Sequence, residues 1–151
     1  MLAALTGAGV DYILVGGAAA IAHGSARLTQ DVDIVYARAA VNLSKLVKAL
    51  GPHTPYLRGA PPGLPFQFDE QTLRRGLNFM LTTSLGDIDL LGEITGGGGY
   101  EDLLPDSVVL EVFGLHCRGL SLDRLIEVKR AAGRPKDLEA IAELEAIREE
   151  Q

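Results

Sequence analysis

Two glycines followed by two aspartates constrain this chain more than any other feature. In "VGGAAAIAHGSARLTQDVDIV", residues 15 to 35, thirteen residues separate Gly17 from Asp31. "YILVG" (12–16) is rich in β-formers and closed by glycine, so it reads as a short buried strand. "GAAAIAHG" reads as a short alanine helix stopped by Gly24. "DVDIVYA" (31–37) begins with polar and apolar residues alternating, the pattern of a half-exposed strand. Gly16 and Gly17 therefore fall in a strand-to-helix turn, where glycine lets the backbone bend sharply and approach a ligand. The free N–H groups of such a turn suit a phosphate. Asp31 and Asp33, two apart on a strand, point to one face. Like charges so placed repel unless a cation joins them, and Mg²⁺ takes one or two carboxylates plus water and substrate phosphates. Alone, the glycines also read as a tight turn and the aspartates as solvated acids. Their order and spacing together suit a chain that holds a triphosphate and a metal.

"LGDIDLLG" repeats the acid spacing with Asp87 and Asp89 on another predicted strand. If the two strands are neighbours, Asp89 joins Asp31 and Asp33 as a third acid, the layout of a metal-assisted displacement at phosphorus. Asp87 abuts the turn at Gly86 and reads as solvated. No Lys-Ser or Lys-Thr follows Gly16–Gly17, which excludes a Walker A loop, and the G-x-G-x-x-G spacing of a dinucleotide site is absent.

The remaining chain is punctuated clearly. Asn42 is a predicted N-cap for "LSKLVKAL", with Gly51 as its stop. Residues 52 to 65 hold five of the seven prolines and read as a surface loop. "DEQTLRRG" (69–76) suits a helix with acids at its start and arginines at its end. "NFMLTTS" and "DIDLLGEI" read as two strands joined through Gly86, "TGGGGYEDL" as a flexible connection, and "VVLEVFGLHCRGL" as a hairpin turning near Gly114. Ser121 is a predicted cap for "LDRLIEVKRAAG", Gly133 its terminator, and Pro135 opens a last helix. Leu138, Ile141, Leu144 and Ile147 read as that helix's apolar stripe, packed on the core. Before the first strand, "MLAALTGA" leaves room for only a short helix, or for the end of a longer native one.

The expected class is α/β (α+β): a mixed twisted sheet flanked by helices, in one domain over 1–151. Residues 1–116 form the sheet-containing core and residues 121–151 the C-terminal helices. The 151 residues suffice for a core, and 47% hydrophobic with 23% charged residues is ordinary for a globular chain. Cys117, the single cysteine, cannot form an internal disulfide, so the expected setting is cytoplasmic, with no membrane partner. The net charge of −6 argues against avid non-specific nucleic-acid binding. The charge is uneven. Six bases and two acids lie between Arg118 and Lys136, and six acids and one base follow Lys136. That pattern suits a phosphate on one strip and a basic partner on the other, or simply two solvated helix faces. His116 and Cys117 lack partners at zinc spacing.

Together "VGG", "DVDI" and "DIDLL" resemble the polymerase-β-type nucleotidyltransferase superfamily. "GGAAAIAHGSARLTQDVDI" and "LIEVKRAAGRPKDLEAIAEL" are similar to compact bacterial proteins related to AbiEii-type toxins of toxin–antitoxin systems. The resemblance implies the nucleotidyltransferase fold and a Mg²⁺- or Mn²⁺-dependent transfer of an NMP group from an NTP to an acceptor hydroxyl. The acceptor would be an RNA or tRNA end or a protein, and a cognate antitoxin would be a partner. It assigns Gly16 and Gly17 to the phosphate-holding turn, Asp31 and Asp33 to the metal, and Asp89 to the metal and the attacking hydroxyl. Arg27 would pair with phosphate or brace the carboxylates. Lys129, Arg134 and Lys136 would contact nucleotide or acceptor phosphates, whereas Asp137 reads as a helix cap and His23 as a packed or capping group. Many superfamily members have Gly-Ser where this chain has Gly16–Gly17. The alternative is a non-catalytic nucleotide-binding regulatory or antitoxin-like module of the same fold.

Overall fold

The computed structural model describes residues 1–29 and 31–151. Helix α1 (Leu2–Gly7) leads into β1 (Tyr12–Val15), and α2 (Gly16–Ala22) follows with no intervening residue. Next come β2 (Asp31–Tyr36), α3 (Ala40–Leu50), a 3-10 turn at Gly51–His53, β3 (Tyr56–Leu57) and α4 (Glu70–Arg75). A hairpin of β4 (Phe79–Thr83) and β5 (Gly86–Leu91) precedes the small pair β6 (Glu93–Ile94) and β7 (Gly98–Gly99). Helix α5 (Tyr100–Leu103), a 3-10 turn at Leu104–Asp106, the hairpin β8 (Ser107–Val112) and β9 (Leu115–Leu120), and helices α6 (Leu122–Ala132) and α7 (Pro135–Glu149) complete the chain.

Seven strands form one mixed sheet in the order β3-β4-β5-β2-β1-β9-β8. The pairs β2–β5 and β1–β9 are parallel and the rest antiparallel. This is the expected α+β class, and the burial pattern explains the order. All four residues of β1 are buried, as a strand deep in the sheet requires. In β2 only Ile34, Val35 and Tyr36 are buried, so its acidic end reaches the sheet's margin. The core runs from Leu2 and Leu5 through the central strands to Leu125, Ile126, Ile141 and Leu144 of the last two helices. Among the described residues no helix is long and apolar enough to cross a membrane.

Ser121 caps α6 by accepting from Arg124 N at 3.2 Å, and Gly133 ends it in the left-handed conformation, as expected. Other expectations need correction. Asn42 is not an N-cap: α3 begins at Ala40, and Asn42 lies inside it, buried. Its amide accepts from Asp11 N at 2.7 Å and donates to Asp11 O and Ala37 O, a tertiary use of a residue that local rules place at a cap. The proline-rich stretch is not all loop, because β3 pairs with β4 inside it. The glycine-rich stretch is ordered as the β6–β7 pair and α5, with Asp102 accepting from Gly99 N. The strand expected over "DIDLLGEI" breaks at Gly92. The boundary drawn at residue 116 cuts β9, which belongs to the sheet.

On α7, Leu138 is 58% exposed, while the buried residues are Asp137, Ala140, Ile141 and Leu144. A strict three-residue spacing drifts round a helix of roughly 100° per residue, so positions nine apart lie about two and a half turns apart and face opposite ways. Of the expected stripe only Leu138 misses the core: Ile141 and Leu144 are buried in it and Ile147 packs against it partly buried.

Candidate functional site

The sheet register assembles an acidic face row by row. In β2 and β5, Asp31 lies beside Asp87 and Asp33 beside Asp89. Neighbouring strand residues in register point to the same side, so all four carboxylates share one face, while Ile34, Ile88 and Leu90 on the other face are fully buried. The row through Asp33 runs on to Val15 of β1, and the row through Asp89 runs on to Met80 of β4. Arg58, next after β3, donates its backbone N–H to Met80 O at 2.9 Å and so joins the same row. Its side chain crosses β4 and reaches three of the acids. The guanidinium nitrogens stand 2.8 Å from Asp89 Oδ1, 3.3 Å from Asp87 Oδ2 and 3.8 Å from Asp31 Oδ2.

Asp33 is the most perturbed acid. Burial pushes its carboxyl up to about 7, helped by the adjacent Asp89 carboxylate and by the charge of Asp31, while Lys129 opposes the rise. Gly16, at φ +65°, is packed against this carboxylate: a Cβ there would lie 2.1 Å from Asp33 Oδ2. A Cβ on Gly17 would meet Thr29 Cβ at 2.9 Å. The first glycine is thus required by the approach of the aspartate and the second by the chain leading to it.

A cleft of about 470 Å³ opens over this face, lined by Gly16, Gly17, Asp31, Asp33 and Asp89 on one side and Lys129, Arg134, Lys136 and Asp137 on the other. That volume suits a small-molecule site. A second lobe of about 390 Å³ shares Gly16, Asp33, Lys129 and Arg134 and extends toward Asn78, Ile94, Thr95 and Val128. Burial lowers the Lys129 ammonium from its ordinary value, against the pull of Asp137 and Asp33. Arg134 is held by Asp137, Nε to Oδ2 at 2.6 Å. Burial works to raise the Asp137 carboxyl, but the Arg134 hydrogen bonds and charge outweigh it and hold it low. Asp137 also accepts from Arg134 N at 3.2 Å, the capping role expected of it. Arg27 lies at the cleft rim and turns to α7, 3.6 Å from Glu143 and 3.9 Å from Glu139, rather than to the acidic face. His23 ends α2 and bonds Leu120 O at 2.8 Å.

The structure therefore brings Gly16, Gly17, Asp31, Asp33, Asp89, Lys129, Arg134 and Lys136 to one cleft, with Arg27 at its edge. Among the described residues, no three His, Cys, Asp or Glu side chains stand as a set ready to hold a metal ion. Arg58 is instead ion-paired with three of the four acids. One oxygen nevertheless answers to a hard cation: Asp33 Oδ1 is buried and, among the described residues, has no hydrogen-bond partner, while the neighbouring Asp89 Oδ1 is buried against Arg58 at 2.8 Å. A pair of carboxylates is a sufficient protein contribution for Mg²⁺, so the residues fit that ion. Sequence reading missed Arg58, whose two-residue strand is too short to register as alternation. It also set Asp87 aside, although the same spacing that placed Asp89 on this face placed Asp87 there.

Fold and cleft together define an α+β protein whose sheet carries an acidic face opposed by a basic helix edge. No protein-family model matches the chain, and no curated protein matches it.

Proposed function

We propose that this protein is a Mg²⁺-dependent nucleotidyltransferase that moves an NMP group from an NTP to an acceptor hydroxyl, on an RNA or tRNA end or a protein. One observation carries the reading: Asp33, with its unpartnered Oδ1, the Asp89 carboxylate and the cations Lys129 and Arg134 line the same cleft, against the Gly16 turn. Such a pairing of anionic and cationic walls suits a metal-bound triphosphate.

Asp33 and Asp89, with Asp31, would hold a divalent ion (Mg²⁺ or Mn²⁺), which supplies charge neutralisation at the phosphates and lowers the pKa of the attacking hydroxyl. Lys129, Arg134 and Lys136 bind the triphosphate oxygens beside the Gly16–Gly17 turn, and Arg27 adds charge at the rim. Asp89 accepts the proton of the acceptor hydroxyl. That oxygen then bonds to the α-phosphorus, the bond to the bridging oxygen breaks, and pyrophosphate leaves with the electron pair. Catalysis in this scheme is positioning and charge stabilisation. The lone free thiol, Cys117, supports a cytoplasmic setting, where a cognate antitoxin would be met.

The test is incubation of the protein with Mg²⁺ and each α-³²P-labelled NTP in the presence of tRNA, total RNA or protein acceptors. Label on one acceptor class is expected, with Asp33→Asn slower by about 100-fold or more. No transfer by the wild type to any acceptor overturns the reading. The presence of Arg58 among the acids favours a second reading, a nucleotide-binding regulatory or antitoxin-like module without turnover. Calorimetry with a non-hydrolysable NTP separates them, since binding that is indifferent to Mg²⁺ supports the module.

A further inference from the structure

We propose that Arg58 is a resident cation of the acidic face, and that a divalent ion enters only by displacing its guanidinium. This rests on the reading of Asp33 and Asp89 as metal-holding. Four carboxylates on two adjacent strands repel one another, and Arg58 is the cation that spans them, touching Asp31, Asp87 and Asp89. The oxygen it approaches most closely, Asp89 Oδ1, is one of the two that a metal would take. A guanidinium and a divalent ion cannot share that oxygen without strong like-charge repulsion.

Arg58 is also built to leave. Its contacts with Asp87 and Asp31, at 3.3 and 3.8 Å, are looser than the 2.8 Å ion pair with Asp89 Oδ1, so a single close carboxylate contact holds the guanidinium. Its guanidinium also donates to Leu81 O, at 2.9 Å. Its backbone hangs from a two-residue edge strand, and the side chain is 29% exposed, so its path to solvent is open. While the guanidinium stays, Asp31 and Asp87 face it and no three-acid ligand set forms. Once it departs, those carboxylates are free to turn inward and the cation is free to meet an incoming phosphate.

The experiment measures Mn²⁺ binding by loss of the free-ion electron paramagnetic resonance signal, in wild type, Arg58→Met, Arg58→Lys and Asp33→Asn, with circular dichroism to confirm folding. Arg58→Met is expected to bind Mn²⁺ about ten-fold tighter or better, Arg58→Lys close to wild type, and Asp33→Asn weakly or not at all. Equal or weaker binding by folded Arg58→Met, with wild-type binding still lost in Asp33→Asn, overturns the exchange and leaves the metal reading standing. Absence of binding by both wild type and Arg58→Met overturns both. Should Arg58→Met not fold, the wild type suffices: its Arg58 Nε–H resonance, assigned against Arg58→Lys, should shift or exchange away as Mg²⁺ is added. A resonance unchanged at saturating Mg²⁺ overturns the exchange.

Discussion

Asp33 shows how a single side chain is set against the stability of its own fold. Its carboxyl, raised to about 7 by burial and by Asp89, titrates near 4 in an unfolded chain. A raised folded-state value means that its contribution to stability is fully present below about pH 4 and is lost as pH climbs through 7. Asp33→Asn escapes that loss. In metal-free buffer at pH 8 the variant should melt roughly 3–6 °C above wild type, about 1–2 kcal/mol once solvent screening is allowed for, and the gap should shrink as pH falls and close only near pH 4. Thermal melts across that range check it, and an Asn variant less stable than wild type at pH 8 would refute the assignment. The alternation "DVD" was enough to place Asp33 beside Asp31 on one face. Its burial was not readable, because that depends on Gly16 lying against it and on β5 arriving alongside.

At the scale of elements, local chemistry was legible wherever a terminus is decided by its own residues. Ser121 and Gly133 bound α6, and Asp69 accepts from Thr72 N to begin α4, because capping is a contact across three or four residues. Helix α7 shows the opposite. Its apolar residues were visible, but which of them meet the core depends on how the helix is rolled against α6. Leu144→Ala should therefore cost about 2–5 kcal/mol, and Leu138→Gln less than about 0.5 kcal/mol, in urea unfolding. Equal losses would mean that the stripe packs as its spacing suggests. Strand β3 escaped notice for a related reason: two residues carry no periodicity, and its identity comes from Thr82 and Leu81 across the ladder.

Across the whole molecule, the sheet depends on a few long-range ties. Asn42 binds the start of β1 to the end of β2 through Asp11 and Ala37. Asn42→Ala strands those buried backbone groups and should cost about 2–4 kcal/mol with an unchanged urea m-value, whereas a cost below about 1 kcal/mol would show that the tie is dispensable. By itself the sequence determined the class of fold, most helix ends, the turn at Gly16–Gly17 and the pairing of acids along each strand. All of these are set by propensity and by periods of two to four residues. Only the tertiary structure decided that β2 and β5 lie side by side in register, that Lys129 and Arg134 look across at them, and that Arg58 stands among the acids. Those facts join residues dozens of positions apart, and no local period encodes them. They follow from burying one continuous core, which leaves the charged groups to meet where the sheet's margin and the last helices leave a cleft.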